Sequence, residues 1–136
     1  MKYKDFVLDL EFRIPPKGNS GIFVRVKDPA DPVKTGIEIQ ILDSYDKKGE
    51  LGHHDNGGVI SAAGPSKNMS KPAGEWNRLI IGCRGSRMEV ILNGEQIHEL
   101  RLDESAVKDR PLVGYVGLQD HGLPLWFRNI RIRELD

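Results

Sequence analysis

Apolar and polar positions alternate strictly near the start of the chain. Phe6, Leu8, Leu10, Phe12 and Ile14 fall on one face, and Val7, Asp9, Glu11 and Arg13 on the other. A period of two predicts a half-buried β-strand. Pro15-Pro16-Lys17-Gly18-Asn19 ends it, because proline gives no ladder donor and Gly and Asn favour turns. Residues 21–26 and 36–42 read as the next two strands, separated by a Pro/Asp loop. Residues 43–58 are polar and Gly-rich and read as a surface loop, with a short strand over 58–62. A long aperiodic loop covers 63–74, and loops of that length in compact domains usually serve function. Strands follow over 75–83 and 87–92. Asn93-Gly94 then predicts a type I′ hairpin into 95–100. Residues 101–110 are polar, with room for one helical turn, and residues 114–119 and 125–133 supply the last strands. About nine short strands with turn punctuation and no helical periodicity predict an all-β sandwich or barrel.

The 136 residues suit a single domain, 1–136, large enough to bury a core. Twenty Lys+Arg balance twenty Asp+Glu, and the arginines are dispersed, so neither nucleic acid nor an anionic membrane is an expected partner. The only cysteine, Cys83, lies in an apolar strand and reads as buried and inert. It excludes an intrachain disulfide framework and a Cys-based zinc site. Met1–Asp5 has no apolar h-region, so no signal peptide or membrane span is expected in this stretch, which enters a strand at once and reads as a segment of a longer chain.

Candidate chemistry centres on the third strand. Alternation sends Ile37, Ile39 and Ile41 to the core and places Glu38 and Gln40 together on the other face, with Asp43 joining them if the strand bends after Leu42. Strand-borne acids can serve acid/base chemistry on sugars, and they can also form a solvated face. On the second strand, Phe23 and Arg25 are expected to share a face, where an aromatic and a guanidinium suit a sugar. The plainer alternative is an Arg25–Glu38 cross-strand pair. Gln119, Asp120 and His121 end a strand, with His121 a candidate general base. Lys67 and Lys71 lie on the long loop, from which they could reach over a cleft toward an oxyanion. His53-His54-Asp55 reads as solvated loop, with no third ligand at helical spacing to suggest a metal. Neither a Gly-x-Ser-x-Gly elbow nor a His-Glu-x-x-His motif is present.

Several segments occur together and in order: Gly18-Asn-Ser-Gly-Ile-Phe-Val-Arg25, Glu38-Ile-Gln-Ile-Leu-Asp43, Ala63-Gly-Pro-Ser-Lys-Asn-Met-Ser-Lys-Pro-Ala-Gly-Glu-Trp-Asn77, Leu92-Asn-Gly-Glu95, Gly117-Leu-Gln-Asp-His-Gly122 and Phe127-Arg-Asn-Ile-Arg131. As a set they resemble the 3-keto-disaccharide hydrolase domain family from about residue 5 to the C-terminus. The resemblance implies a concanavalin A-like jelly-roll sandwich of two antiparallel sheets, bacterial glycan metabolism outside the cytoplasm, and activity on 3-keto-glycosides. Glu38-x-Gln-x-x-Asp43 is also similar to the Glu-x-Asp-x-x-Glu strand of laminarinase-like hydrolases, but Gln40 replaces the middle acid and argues against ordinary double displacement. The family's usual N-terminal Asn-Gly-x-x-Leu-x-Gly-Trp-like stretch is missing, and the segment between Leu102 and Leu112 is short. A sheet lacking a strand would expose an edge that invites pairing with a second copy.

The implied substrate suggests a route. A ketone at C3 acidifies the C2 proton; a base removes it, the C1 oxygen leaves by β-elimination, and water adds afterwards. The base is expected to be His121 or Glu38. Arg25 or Lys67 is expected to stabilise the enolate, Gln40 and Asp43 to position hydroxyls, and Gln119 and Asp120 to support them, with Lys71 a further substrate contact. No cofactor is expected. Calcium is compatible with a concanavalin-like fold, but no loop has EF-hand spacing. The alternative is a lectin-like module that binds a saccharide or another protein without catalysis.

Overall fold

The computed structural model describes residues 1–120, 122 and 124–136. Two antiparallel sheets face each other, as the strand pattern predicts. The strands, in chain order, are β1 (Phe6–Arg13), β2 (Asn19–Val26), β3 (Ile37–Leu42), β4 (Asn77–Arg84), β5 (Arg87–Leu92), β6 (Glu95–Arg101), β7 (Tyr115–Leu118) and β8 (Trp126–Glu134). The larger sheet runs β6-β5-β4-β1-β8 and the smaller β3-β2-β7.

The alternation in β1 maps directly onto burial. Phe6, Leu8, Leu10, Phe12 and Ile14 are all inaccessible, and they meet Ile22, Val24, Ile37, Ile39 and Ile41 from the small sheet. Leu79, Ile81, Cys83, Met88, Val90 and Leu92 complete this inter-sheet core. Burial pushes the Cys83 thiol up to about 11, which keeps it protonated and inert at neutral pH. Asn93 and Gly94 both take positive φ, 51° and 87°, as a type I′ turn requires, and join the Leu92–Glu95 pair.

The strand expected over 58–62 is reduced to bridges. Val59 pairs with Ile39, Gln40 N–H donates to Gly58 O, and Ile60 N–H donates to Glu38 O, so this segment hems β3 as a short fourth lane. A four-residue helix, α1 (Pro32–Thr35), interrupts the β2–β3 loop. Asp31 caps it through Lys34 N–H, and Pro32 supplies the fixed φ of a first turn. Four residues are too few to show a helical period in the sequence. The turn foreseen in 101–110 is a single 3-10 turn at Leu102–Glu104.

β2 carries the largest departure from simple alternation. Its register to β7 slips between Phe23 and Val26, and Arg25 adopts φ 50°. This bulge turns Arg25 inward, and its side chain becomes fully buried. Nη1 donates to Gly85 O at 2.5 Å and Nη2 to Lys4 O at 2.8 Å, with Asp5 Oδ1 3.5 Å away. Asp5 accepts in turn from Gly85 N–H at 2.8 Å. Arg25 thus clasps β2 to the N-terminal segment and the β4–β5 turn.

Candidate functional site on the small sheet

The outward face of the small sheet is built in two cross-strand rows. Glu38 on β3 opposes Phe23 on β2, which opposes Gly117 on β7. One step along, Gln40 opposes Gly21, whose carbonyl accepts the Gln119 N–H at 2.8 Å. The Ile side chains between them face the core, so Glu38 and Gln40 are held side by side by the pleat. The expected Glu38–Gln40 pairing on one face is therefore formed.

Gly21 makes the arrangement possible. A Cβ there would collide with Glu38 Oε2 and lie 3.0 Å from its Cδ, so the carboxylate occupies the space that a side chain at position 21 would fill. Sequence reading passed over this glycine; its signal was the break it makes in an otherwise branched and aromatic strand. Gln40 is only 6% exposed and donates to Asn19 Oδ1 at 3.2 Å, which fixes the amide over the neighbouring strand. Asn19 is the second contributor that sequence reading missed. Ser20 Oγ donates to Gln119 O at 2.6 Å and anchors the end of β7. Gln119 Oε1 is buried without a hydrogen-bond partner among the described residues. A buried acceptor left unmatched costs stability unless a donor arrives.

The hemming lane adds a histidine at the rim. Gly58 opposes Gln40, and a Cβ on Gly58 would strike the His53 carbonyl, so His53 lies over that end of the face. Its Nδ1 accepts from Ser61 N–H at 2.9 Å, which orients the ring. His54 lies beside it with ring centroids 4.1 Å apart and planes tilted by 42°, while Asp55 turns away to accept from Lys47 Nζ and Gly52 N–H. Among the described residues no group of three His, Cys, Asp or Glu side chains could hold a metal ion.

The other candidates are distributed differently. Arg25 is not on this face and does not pair with Glu38: the bulge sends it inside, where backbone carbonyls occupy its guanidinium. Asp43 is half-buried at the end of β3, and its Oδ2 accepts from Lys17 N–H at 2.9 Å, a clasp on the β1–β2 turn. Lys67 turns to Glu95 on the β5–β6 hairpin, 3.5 Å away. Lys71 is exposed, with its main-chain N–H on Asn77 Oδ1 at the start of β4. The long loop is held against residues 44–47 by Asn68 and against β6 by Ser66 N–H on Ile97 O, which ties it to the larger sheet. Asp120 Oδ1 accepts from Gly122 N–H in a local turn beside Gln119. His121 lies outside the described residues.

A two-sheet jelly roll that places a carboxylate and two carboxamides on one face presents hydrogen-bonding groups to a polar ligand. Residues 1–133 match the 3-keto-alpha-glucoside-1,2-lyase-like domain, and the chain belongs to that family. It is 26% identical over 174 aligned positions to the 3-keto-disaccharide hydrolase of Bacteroides thetaiotaomicron, covering 99% of this chain and 60% of that one. The chain thus spans well under two thirds of this curated relative. A crystal structure of a proposed glycosyl hydrolase from Parabacteroides distasonis superposes with a TM-score of 0.89 at 31% identity, over 99% of this chain and 80% of that one. The carbohydrate-binding module CBM66 from Bacillus subtilis shares the fold at TM-score 0.69 and 16% identity, over 98% of this chain and 78% of that one.

Proposed function

We propose that this domain cleaves 3-keto-glycosides on the outward face of the small sheet, with Glu38 as the base that removes the C2 proton. The observation that carries the reading is the seat of Glu38. Its carboxylate occupies the space above Gly21, between Phe23 and the fixed amide of Gln40. A base that abstracts a carbon-bound proton must be held in one place against the sugar, and this seat holds it. Proton removal forms an enolate on O3. The enolate then expels the C1 oxygen, giving an enone and a free alcohol, and water adds to the double bond to complete a net hydrolysis. The Gln40 amide can donate to a sugar oxygen, and Gln119 Oε1, without a partner among the described residues, can accept from a hydroxyl. His121 is assigned the complementary proton transfer to the leaving oxygen. Family membership and the relative named a 3-keto-disaccharide hydrolase support the substrate class.

The test is product analysis with a 3-keto-disaccharide beside its unoxidised parent. Cleavage of the keto sugar alone is expected. Glu38→Gln is expected to lower turnover about 10²- to 10⁴-fold, the usual scale for a general base, and His121→Ala to lower it within the same range. If both variants turn over at the wild-type rate, the site is wrong. If neither sugar is cleaved but one raises the melting temperature, the domain is a binding module.

A further inference from the structure

An enolate on O3 needs a hydrogen-bond donor beside it, because a donor already aimed at developing charge lowers the barrier. Arg25 and Lys67, the two cations expected in that role, both lie elsewhere: Arg25 is buried against main-chain carbonyls and Lys67 turns to Glu95. O3 sits on the carbon next to C2, so its donor must stand beside the base, within about the 4.8 Å that separates neighbouring strands. On the β2 side Glu38 is flanked by Phe23, which has no polar group. On its other side runs the hemming lane, in a register fixed by hydrogen bonds. Gly57 N–H donates to Gln40 O, Gln40 N–H to Gly58 O, and Ile60 N–H to Glu38 O, at 2.8, 2.8 and 3.0 Å. Val59 pairs with Ile39 and faces the core with it, so Gly58 and Ile60 face outward beside Gln40 and Glu38. The main chain of His53 fills the outward side of Gly58, where a Cβ would stand 2.9 Å from the His53 Cα. Further along the lane, Ser61 N–H holds His53 Nδ1 at 2.9 Å. The half-buried imidazole therefore spans the lane from Gly58 to Ser61, past Ile60, the residue hydrogen-bonded to Glu38. Ser61 holds it from a left-handed conformation, φ 67°, which a residue other than glycine adopts at a cost. With Nδ1 taken by the main chain, Nε2 is the ring nitrogen left for a ligand, and it has no partner among the described residues.

We infer that His53 is a further catalytic residue, and that its Nε2–H donates to O3 of the keto sugar as the enolate forms. The inference rests on the reading of Glu38 as the base. Glu38 takes the C2 proton, the electron pair of the C2–H bond moves into a C2=C3 double bond, and the carbonyl pair moves onto O3, where Nε2–H meets it. When the carbonyl re-forms, the C1–O bond breaks and its electrons leave with the departing oxygen. Addition of water to the enone passes through an enolate on the same oxygen, so one donor serves both halves of the reaction. His53 keeps its proton throughout and acts as a fixed donor, not as an acid or a base.

Two substitutions separate the jobs of the two ring nitrogens. His53→Asn keeps an acceptor near the Nδ1 position for Ser61 and loses the reach of Nε2. His53→Gln puts an amide N–H near the Nε2 position. Turnover of a 3-keto-disaccharide is measured together with exchange of the C2 proton of methyl 3-keto-glucoside in deuterium oxide, read by NMR. Exchange needs the enolate alone, with no bond broken at C1. His53→Asn is expected to slow both by about 10²- to 10³-fold, the scale of one donor lost from an oxyanion, and His53→Gln to recover part of that loss. A residue that only ties the loop would give the opposite order, with His53→Asn the more active variant. That order, or turnover slowed while exchange runs at the wild-type rate, overturns the inference, as does His53→Asn at wild-type rates. Glu38→Gln is measured beside them. If it stops exchange while His53→Asn does not, the His53 inference falls and the Glu38 reading stands. Exchange that survives Glu38→Gln overturns the Glu38 reading instead, and a wild-type protein that neither exchanges nor cleaves overturns both.

Discussion

The two outward faces of this sandwich are both polar, but they spend their polarity differently. On the larger sheet three carboxylates are each held by an arginine. Arg78 holds Asp9 in a two-pronged pair at 2.6 and 3.1 Å, Arg128 and Asn129 hold Glu11, and Arg87 holds Glu99. The hydrogen bond from Arg78 holds the Asp9 carboxyl below its usual range, and that from Asn129 does the same for Glu11. Where this face meets the ends of β1 and β8, Arg13 lies over both Trp76 and Trp126, and Arg128 lies over Trp76. On the smaller sheet, glycine and carboxamides line the rows beside Glu38, and one buried acceptor, Gln119 Oε1, has no partner among the described residues. A face whose groups are mutually satisfied is a finished surface. A face that leaves a buried acceptor without a partner among the described residues has capacity for a ligand.

The sharpest way to break the contrast is Gly21→Ala. The added methyl competes with the Glu38 carboxylate for its space while leaving the acid in the chain. Turnover on a keto-glycoside is expected to fall about 100-fold, the scale of an ångström's misplacement, and steady-state kinetics reads it. Next in size is the support behind the site. Buried His98 donates from Nε2 to Gly57 O at 2.7 Å, and Gly57 N–H donates to Gln40 O. His98→Ala leaves that carbonyl unpaired and is expected to cost about 1–3 kcal/mol in chemical denaturation. Burial also pushes the His98 pKa below its ordinary 6.5. The unfolded chain therefore takes up a proton below pH 6.5 that the folded chain refuses, so stability falls as pH drops through that value. His98→Gln keeps an N–H donor without a titrating ring, and its stability should vary less with pH over that window. The smallest effect belongs to the finished face. Asp9→Asn is expected to cost about 0.2–1 kcal/mol, a cost that shrinks with added salt, and to leave turnover unchanged.

How much of this was legible in sequence follows from which forces are local. The β1 and β3 alternations are local, so the core and the Glu38–Gln40 pair could be read directly. The Arg25 bulge depends on how two strands meet a third, and no single stretch of chain records that. Arg25 was therefore expected outside and lies inside. Lys67 and Lys71 sit in a loop whose course is set by Asn68 and Ser66 reaching distant carbonyls, a tertiary outcome with no periodic signal. The importance of Gly21 lay in an absent side chain, which becomes visible only once Glu38 is placed over it.

The clasp around Arg25 also bears on the order of assembly. It joins residue 25 to positions 21 residues before it and 60 after it. The N-terminal segment through β2 could by itself supply only the nearer acceptor, and the charged group would wait in water until the β4–β5 turn arrived. Closure of so long a loop belongs late on the folding route, when most of the sheet is already paired. Contacts made after the rate-limiting barrier chiefly slow escape from the native state. By this logic the buried guanidinium acts as a latch: it has little influence on how fast the domain forms, and a large one on how long it stays formed.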